Sequence, residues 1–350
     1  MRIVVNDIAA STTGAMTILK QFYNYILEND TENEWIFFLG DRYLEETGKI
    51  KIICFPEIKA SRVRKVLFDC FYGRKVVETY QPDVVVSLQN IITFGVKVPQ
   101  VLYVHQSLPF QTIRKFSFLK RDERSIALVQ HFIGAFIKAS IKKADAVFVQ
   151  TKWMQEAVSR STGIPLQNVF AAFPQFDLYE ADMTKFNRKC FFYPTAGSVY
   201  KNNNLIVEAC NLLNADGIED FEVRLTLPHG SIKHRNITCV GHLNRTQMQE
   251  EYQSGTLVFP SYIETVGLPL LEARSCQTII LAANTPFSRE CLERYPNVCY
   301  FDPFDVNVLK EQMKAVMNGH YSLKPDIELY ESKPGWKEFY EEILSCKKIL

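Results

Sequence analysis

The fold is decided by the stretch Thr256-Leu-Val-Phe-Pro-Ser-Tyr-Ile-Glu264-Thr-Val-Gly267-Leu-Pro-Leu-Leu-Glu272, which leads on to Thr278-Ile-Ile-Leu-Ala282. Its first four residues are β-branched or apolar and predict a short buried strand that Pro260 ends. Pro269 suits the first turn of a helix, because its missing N–H would have no intrahelical partner there. The run from Thr278 predicts a second buried strand. Strand, loop, helix and strand in this order are typical of a parallel α/β sheet.

The loop of this unit carries residue types that suit a phosphate-bearing ligand. Gly267 lets the backbone approach closely, and N–H groups at a helix N-terminus carry partial positive charge. In an open α/β sheet, ligands lie beyond the carboxyl ends of the strands, where this loop falls. Glu264 lies in the loop, and Glu272, just inside the helix, can accept hydrogen bonds from a ribose diol. The alternative is an ordinary βα unit with solvated acids, and the spacing alone favours neither.

Length and composition define the class of protein. The chain has 350 residues, 47% apolar and 23% charged, which is globular and longer than one core usually supports. We therefore expect two domains. The formal net charge is +1, and no nucleic-acid-binding signature is present, so we expect no nucleic-acid partner.

Cysteine usage and the N-terminus indicate the compartment. The nine cysteines form no C-x-x-C pair, which predicts reduced, buried thiols in a cytoplasmic protein. The apolar run Ile3-Val-Val is broken at once by Asn6-Asp7, so we expect no signal peptide. No window approaches the roughly 18 apolar residues of a membrane span.

Strands and helices alternate through the first half, which predicts a parallel sheet with helices on both faces. Predicted strands cover residues 2–8, 35–39, 51–55, 84–88, 100–104 and 144–149. Predicted helices cover residues 17–28, 126–142 and 152–159, and residues 76–81 are predicted to form the end of a further helix.

Two residues that follow predicted strands in the first half are candidate site residues. Gly14 lies in a predicted loop over residues 9–15, but a single glycine is a weak nucleotide signal, and this loop could instead face an acceptor. His105 directly follows the predicted strand 100–104, which favours a place in a site. The alternative is a histidine satisfied by neighbouring backbone.

Two basic stretches interleave with aromatic and apolar residues, Lys59–Lys75 and Arg114–Arg124. Such a pattern on an amphipathic helix can dock on anionic lipid headgroups. The alternative, a solvated face over a buried apolar stripe, is the commoner origin of a charge run. The inner face of the cell membrane is therefore a candidate partner.

The second half repeats the alternation after an aperiodic stretch over 165–189, which we interpret as an interdomain linker. Predicted strands cover residues 190–194, 221–226 and 237–240, and predicted helices cover 205–213, 246–254 and 336–349. Lys201, three residues after Ser198, falls in a strand-to-helix loop, where a lysine is a natural partner for a diphosphate. The alternative is a solvated lysine in a polar turn.

These motifs resemble those of the retaining, nucleotide-sugar-dependent glycosyltransferases of family 4, which have the GT-B fold. The two glutamates have the family's E-x7-E spacing, and Tyr193-Pro194 with Lys201-Asn202 resembles its phosphate-lysine loop in the variant of bacterial polysaccharide assembly. Further matches are Phe259-Pro-Ser261, Gly267-Leu-Pro269, Leu271-Glu-Ala273, Ser288–Leu292 and Val240-Gly-His242. The likeness covers most of residues 190–320 and the first half in outline.

The resemblance implies an α/β GT-B protein with two doubly wound, Rossmann-like parallel-sheet domains facing a central cleft. The acceptor domain would cover residues 1–175 and the donor domain 176–334, with a helix over 335–350 at the domain junction. The activity would be transfer of a sugar from a UDP-hexose or dTDP-rhamnose type donor to a saccharide acceptor. That acceptor is expected to be lipid-linked, in cell-surface polysaccharide synthesis.

The resemblance also implies residue roles. The catalytic set would be Glu264, His105 and Lys201. The donor-binding set would be Glu272, Val266, Gly267, Leu268, Gly241, His242, Ser198 and Gly14. We expect no cofactor and no metal, because the chain contains no D-x-D tripeptide.

Departures from the family pattern leave two alternatives open. Ala196 stands where members often carry an arginine, Gln277 replaces a glycine after Cys276, and the N-terminal glycine-rich loop is reduced to Gly14. Arg245 or Lys152 could supply the second positive charge, or none is needed. The alternatives are a nucleotide-sugar 2-epimerase of similar architecture and a non-catalytic nucleotide-sugar-binding subunit.

Overall fold

The computed structural model describes residues 1–10, 14–326 and 335–346, which form two compact units. The first unit contains residues 1–175 and the C-terminal helix, and the second contains the chain between them. Each is built on a parallel sheet.

The first unit is a seven-stranded sheet in the order β3-β2-β1-β4-β5-β6-β7, and neighbouring strands pair in parallel. The strands are β1 Arg2–Asp7, β2 Glu34–Leu39, β3 Ile50–Cys54, β4 Val84–Ser87, β5 Gln100–Val104, β6 Ala146–Val149 and β7 Val169–Ala171. β1, β2, β4, β5 and β6 are almost wholly buried, as apolar runs in a sheet covered on both faces should be. The strand order reverses between β1 and β4.

Helices cover both faces of this sheet. They are α1 Gly14–Asn29, α2 Pro56–Lys59, α3 Arg62–Leu67, α4 Gly73–Thr79, α5 Arg124–Ala127, α6 Gly134–Ile141 and α7 Lys152–Thr162. A π turn over Phe68–Tyr72 joins α3 to α4, and another over Leu128–Ile133 joins α5 to α6. The predicted helix over 126–142 is therefore helical throughout but is interrupted by a wider turn.

The segments α3–α4 and α5–α6 lie on the same face of the sheet. Phe68 and Val85 of β4 belong to one core cluster, and Ile137 and Leu102 of β5 belong to another. In the β4–β5 register, Val85 pairs with Gln100, two residues before Leu102, so both side chains point to one face. The opposite face carries α1 and the C-terminal helix α13, Trp336–Ser345.

The helix α13 completes the core of the first unit. Its buried residues Trp336, Phe339 and Ile343 pack in one cluster with apolar residues of α1 and of the strands. Phe339 lies 5.0 Å from Phe22 and 5.3 Å from Tyr103, measured between ring centroids.

The second unit is a six-stranded parallel sheet in the order β10-β9-β8-β11-β12-β13. Its strands are β8 Cys190–Tyr193, β9 Glu222–Leu225, β10 Ile237–Cys239, β11 Thr256–Phe259, β12 Ile280–Ala283 and β13 Val298–Phe301. Its helices are α8 Asn203–Ala215, α9 Arg245–Ser254, α10 Leu268–Ser275, α11 Pro286–Cys291 and α12 Val306–Met317. The order reverses between β8 and β11, so the prediction of two doubly wound parallel-sheet domains is confirmed.

Two predictions from the sequence are wrong in detail. The stretch over 165–189 is not wholly a linker, because Val169–Ala171 forms the edge strand β7 on β6. Only Val169 of its three residues is buried, so there was no periodicity to detect. The expectation of buried thiols fails for Cys54, which is exposed at the end of β3.

Among the described residues, the longest helices lack the combination of length and apolar composition that a membrane span requires.

Candidate functional site

The reversal point of the second sheet brings two loops together. β8 and β11 are adjacent and parallel, so the loops that follow them leave from the same edge. One loop leads through α8 to β9, and the other leads through α10 to β12 on the opposite side. A crevice opens at such a point, and ligands of doubly wound sheets bind there.

Lys201 and Glu264 meet across this crevice. The Lys201 Nζ atom donates to Glu264 Oε1 at 2.5 Å, and Ser261 Oγ donates to the same oxygen at 2.7 Å. Their side chains are 21% and 16% exposed, so the pair is shielded but reachable by a ligand. Burial opposes the charge, yet the neighbouring carboxylate raises the pKa of Lys201 above its ordinary value. The ammonium is therefore retained at neutral pH.

Glu264 has one oxygen held and one available. Among the residues that the structure describes, Oε2 has no hydrogen-bond donor, whereas Oε1 accepts from both Lys201 and Ser261. A carboxylate oxygen fixed in this way is suited to accept a hydrogen bond from a sugar hydroxyl.

The two loops are fastened to each other by backbone and side-chain hydrogen bonds. The Tyr200 carbonyl accepts from Tyr262 N at 3.1 Å, and Asn202 Nδ2 donates to the Pro260 carbonyl at 3.4 Å. Asn202 donates to the Pro303 carbonyl at 2.7 Å and has a φ of 59°, a left-handed conformation that asparagine tolerates. Tyr193 Oη donates to the Lys201 carbonyl at 3.0 Å. The ammonium is thus positioned before any ligand arrives.

The N-terminus of α10 lies beside this pair. Gly267 precedes the helix with a φ of 82°, and a Cβ there would lie 3.2 Å from the Leu270 side chain and 3.3 Å from that of Phe287. Glycine is therefore required by both conformation and space. The N–H groups of Gly267 and Leu268 have no intrahelical acceptor at this position, which makes them available to an anion. Val266 is buried, and its carbonyl accepts from Cys291 Sγ at 3.0 Å.

Glu272 lies in α10 and meets a different neighbour. Tyr252 Oη of α9 donates to its Oε2 at 2.6 Å. Burial raises the pKa of Glu272, and the bond from Tyr252 partly opposes that rise. Oε1 has no donor in the described part of the chain, so this carboxylate also keeps one oxygen for a ligand.

The loop after β10 carries Gly241 and His242. Gly241 has a φ of 74°, and its N–H donates to the Leu227 carbonyl at 2.9 Å. Its carbonyl is therefore the backbone group left for a ligand, beside the exposed His242. Ser198 lies in the loop after β8, where its carbonyl accepts from Lys201 N at 2.9 Å.

Two predicted site residues belong to the first unit. His105 N donates to Asn90 Oδ1 at 2.7 Å, and its ring Nε2 lies 2.9 Å from the Leu88 carbonyl. A carbonyl only accepts, so Nε2 donates to Leu88 and Nδ1 is the nitrogen left for another group. Burial lowers the pKa of His105, which favours the neutral ring. The backbone partner that the alternative requires is thus present, and a role of His105 in a site stays a prediction.

Gly14 is not in the loop where the sequence placed it. It is the first residue of α1, which begins three residues earlier than predicted. The preceding residues 11–13 of the predicted loop lie outside the described residues.

The structure shows the contacts of Ala196, which stands where the resembled family often has an arginine, and of the two basic residues that could replace that charge. Ala196 is exposed in the loop after β8, and its carbonyl accepts from Asn203 Nδ2 at 2.8 Å. Arg245 pairs with Asp177 at 3.3 Å and lies over the Tyr179 ring at 5.9 Å. Lys152 begins α7 of the first unit.

Sequence reasoning missed Ser261 and Tyr252 as supports of the two glutamates. Ser261 stood inside a quoted motif, and its spacing of three from Glu264 was the available signal. Tyr252 is 20 residues from Glu272 on another helix, and no local pattern joins them.

Part of the second unit matches a known protein family. Residues 231–328, which include Glu264 and Glu272, match the family described as Glycosyl transferases group 1. A processive diacylglycerol alpha-glucosyltransferase of Acholeplasma laidlawii is 23% identical over 176 residues, 42% of this chain and 53% of that protein. The aligned part thus spans about half the length of this relative.

Solved structures share the architecture over most of the chain. A sucrose-phosphate synthase (tll1590) from Thermosynechococcus elongatus has a TM-score of 0.66 at 14% identity, covering 91% of this chain and 90% of that one. Anabaena Alr3699/HepE in complex with UDP-glucose has a TM-score of 0.62 at 14% identity, covering 91% of each chain. At this identity the likeness establishes the fold alone, and the family match is confined to residues 231–328 of the second unit.

Proposed function

We propose that the protein is a retaining glycosyltransferase that transfers a hexosyl or deoxyhexosyl group from a nucleoside diphosphate sugar to a saccharide acceptor. The observation that carries the proposal is the Lys201–Glu264 pair at the reversal point of the second sheet. It places a retained ammonium next to a carboxylate with one available oxygen. The ammonium can bind the diphosphate of the donor, and the available carboxylate oxygen can accept a hydrogen bond from a sugar hydroxyl.

The donor would lie along the carboxyl edge of the second sheet. Its diphosphate would meet Lys201 and the N–H groups of Gly267 and Leu268, next to Val266. Negative charge grows on the diphosphate as it leaves, and fixed donors that already face it lower the barrier. Glu264 would bind the hydroxyls of the transferred sugar.

The nucleoside would occupy the remaining polar groups of that edge. Glu272 offers Oε1 to the ribose hydroxyls, and Gly241 with His242 would contact the base. Ser198, whose carbonyl accepts from Lys201 N, would lie near the diphosphate. A UDP-hexose is the first donor to test, because HepE was solved with UDP-glucose. A dTDP-rhamnose type donor is the second.

Retention and metal independence are parts of the same proposal. The acceptor would enter on the face that the diphosphate leaves, and a catalytic role of His105 belongs to the same proposal. Lys201 and the start of α10 supply positive charge at the diphosphate, so we expect turnover to survive EDTA. Loss of turnover in EDTA that Mg²⁺ restores would contradict this part, and inversion at the anomeric carbon would contradict the other.

The acceptor is proposed to be lipid-linked, in cell-surface polysaccharide synthesis. The support is the basic-aromatic face of the first unit, which we define as residues 63–75 and 113–132. Phe71 and Leu119 are 72% and 89% exposed, far above the usual exposure of large apolar residues. Further exposed apolar residues on it are Val63, Leu67, Tyr72, Ile113, Phe118 and Phe132. Basic side chains flank them, which favours an anionic lipid surface.

The two halves of the basic-aromatic face belong to one surface. Both helical segments cover the same side of the first sheet, and the loop after β4 touches both. Phe94 N donates to the Asp69 carbonyl of the first segment at 2.7 Å, and Ile92 N donates to Ser140 Oγ of the second at 3.2 Å.

Flotation with liposomes tests this face. The pair Phe71→Ser and Leu119→Ser should reduce binding to vesicles that contain phosphatidylglycerol, while Leu166→Ser, an exposed apolar residue elsewhere in the first unit, should not. Equal flotation of all three proteins would remove the face as a membrane dock.

Donor binding and turnover test the activity itself. A nucleotide sugar that binds the folded state at a concentration about 100 times its Kd adds about 2.7 kcal/mol of stability, which raises the melting temperature. We expect a UDP-sugar or dTDP-sugar to give that shift and to release nucleoside diphosphate with acceptor present. Interconversion of sugar epimers without acceptor would instead indicate a 2-epimerase. Binding without any hydrolysis or transfer would indicate a non-catalytic subunit.

A further inference from the structure

A histidine without an assigned role lies against Gly241. His229 is in the loop after β9, and Gly241 follows β10, the neighbouring parallel strand. The His229 Nε2 atom lies 3.3 Å from the point that a Cβ on Gly241 would occupy. The imidazole therefore fills the side-chain space of residue 241, at the edge where the base is proposed to bind.

A backbone contact fixes the hydrogen-bonding direction of this ring. His229 Nδ1 lies 2.7 Å from the Cys239 carbonyl, and a carbonyl oxygen only accepts. Nδ1 therefore carries the proton of the neutral ring, and Nε2 is left as an acceptor. In the described part of the chain, Nε2 has no hydrogen-bond partner, and the residue is exposed.

We propose that His229 selects the nucleobase by accepting a hydrogen bond from a ring N–H. Uracil and thymine carry this group at N3 and guanine carries it at N1, whereas the corresponding ring nitrogens of cytosine and adenine are unprotonated. The inference rests on the proposed donor and adds to it a preference for uracil, thymine or guanine nucleotides. Gly241 is part of the arrangement, because a larger residue would displace the ring.

The neighbouring residues fit this selection. The Gly241 N–H already donates to the Leu227 carbonyl, so the group that Gly241 can offer to the base is its carbonyl, an acceptor. With acceptors at this edge, the Gly241 carbonyl and His229 Nε2, a base with an unprotonated ring nitrogen would face an acceptor with an acceptor, whereas a ring N–H can donate to one of them. A single matched hydrogen bond discriminates modestly, so selection should be graded and measurable.

The test measures binding of UDP, dTDP, GDP, CDP and ADP to the full chain by calorimetry. N3-methyl-UDP is added as a probe that lacks only the ring N–H. We expect CDP and N3-methyl-UDP to bind about tenfold more weakly than UDP, the effect of one lost hydrogen bond. His229→Phe keeps a ring against Gly241 without an acceptor, and it should bring these three affinities together.

His234→Ala is the matched control, because His234 lies in the same loop but its Nδ1 accepts from Asn236 N at 3.1 Å. It should leave the ranking unchanged. An unaltered ranking in His229→Phe, or tightest binding of CDP or ADP by the natural protein, would overturn the inference while leaving a nucleotide-sugar enzyme intact. Absence of binding by all the nucleotides would overturn both.

Discussion

The two sheets reverse their strand order in the same way, but the side chains at the two reversal points differ. In the second unit, Lys201 and Glu264 face a crevice with an ammonium and an available carboxylate oxygen. In the first unit, between β1 and β4, the polar groups bond to each other. Asp69 accepts from Gln89 at 2.9 and 3.0 Å and from Asn6 at 3.3 Å.

Charge state separates the two points further. Burial raises the pKa of Asp7, at the end of β1, to about 8, and Lys65 only partly opposes the rise. Burial likewise raises the pKa of Asp69 to about 8. The side chain of Asp7 is buried, and its Oδ2 has no hydrogen-bond partner in the described chain. The two units thus share a reversal of strand order, and residue chemistry determines that one reversal point holds a charged pair and the other holds two largely protonated carboxyl groups.

The largest expected effect concerns Glu264. Glu264→Gln keeps the size of the side chain but removes the charge that the proposed site uses, so turnover should fall by about 10²–10³. Steady-state kinetics of donor consumption measures it, with the exposed Glu208→Gln as control. Turnover within twofold of that of the natural protein would contradict a role for Glu264 and, with it, the functional difference between the two reversal points.

Lys201 tests whether the charged pair is structural as well as functional. Lys201→Ala leaves the shielded Glu264 carboxylate without its cation, which should cost about 2 kcal/mol of unfolding free energy, less than for a fully buried pair. The double variant Lys201→Ala/Glu264→Gln should recover much of that loss but no activity. Urea unfolding and turnover are measured side by side. A double variant less stable than Lys201→Ala would contradict the pairing.

Asp7 tests the protonated character of the first reversal point. Its folded pKa is raised above the unfolded value of about 3.9, so the folded state holds more protons and unfolding free energy should fall as pH rises from about 4 to about 8. The slope approaches about 1.4 kcal/mol per pH unit for one such group. Asp7→Asn cannot ionise, so its stability curve should be flatter and higher near pH 8.

Urea unfolding of the natural protein and of Asp7→Asn across this pH range measures the difference. Asp69 still titrates in the variant, so part of the slope should persist. If unfolding free energy depends on pH equally in the two proteins, Asp7 is ionised in the folded state. The proposed difference in charge between the two reversal points would then be wrong for Asp7.

The smallest effect is expected at Tyr252. Tyr252→Phe removes the donor to Glu272 Oε2 and should weaken donor binding about tenfold or less, the range of one hydrogen bond. It should also raise the pKa of Glu272 further, because that bond opposes the effect of burial. Affinity for the donor should therefore decline at a higher pH in the variant as the solution is acidified. Calorimetric titration at several pH values measures this affinity. Identical pH profiles for the natural protein and the variant would show that Tyr252 does not influence the proposed ribose site.

Much of the fold was predictable because local patterns carry it. Apolar runs bounded by proline or polar residues located β5 and β11 with their observed limits. The same reasoning passed over β7, whose pairing with β6 comes from the sheet and not from its own three residues. The π turns were also invisible, because one extra residue in a turn leaves the helical composition unchanged.

The candidate site was predictable in its residue types and less so in its contacts. The E-x7-E spacing and the lysine loop located Glu264, Glu272 and Lys201, but their direct pairing joins positions 63 residues apart. His105 shows the opposite limit. Its place after β5 was visible in the sequence, whereas the Leu88 carbonyl that engages its ring comes from the end of another strand.

The packing of α13 sets the order in which the chain can mature during synthesis. Trp336, Phe339 and Ile343 fill the core of the first unit, yet the ribosome makes them after the whole second unit. Nascent domains generally fold in order of emergence. Here the apolar face that contains Phe22 and Tyr103 stays uncovered until α13 is made, which happens only after the second unit has been synthesised. The nascent first unit therefore exposes apolar surface that α13 covers only late in synthesis.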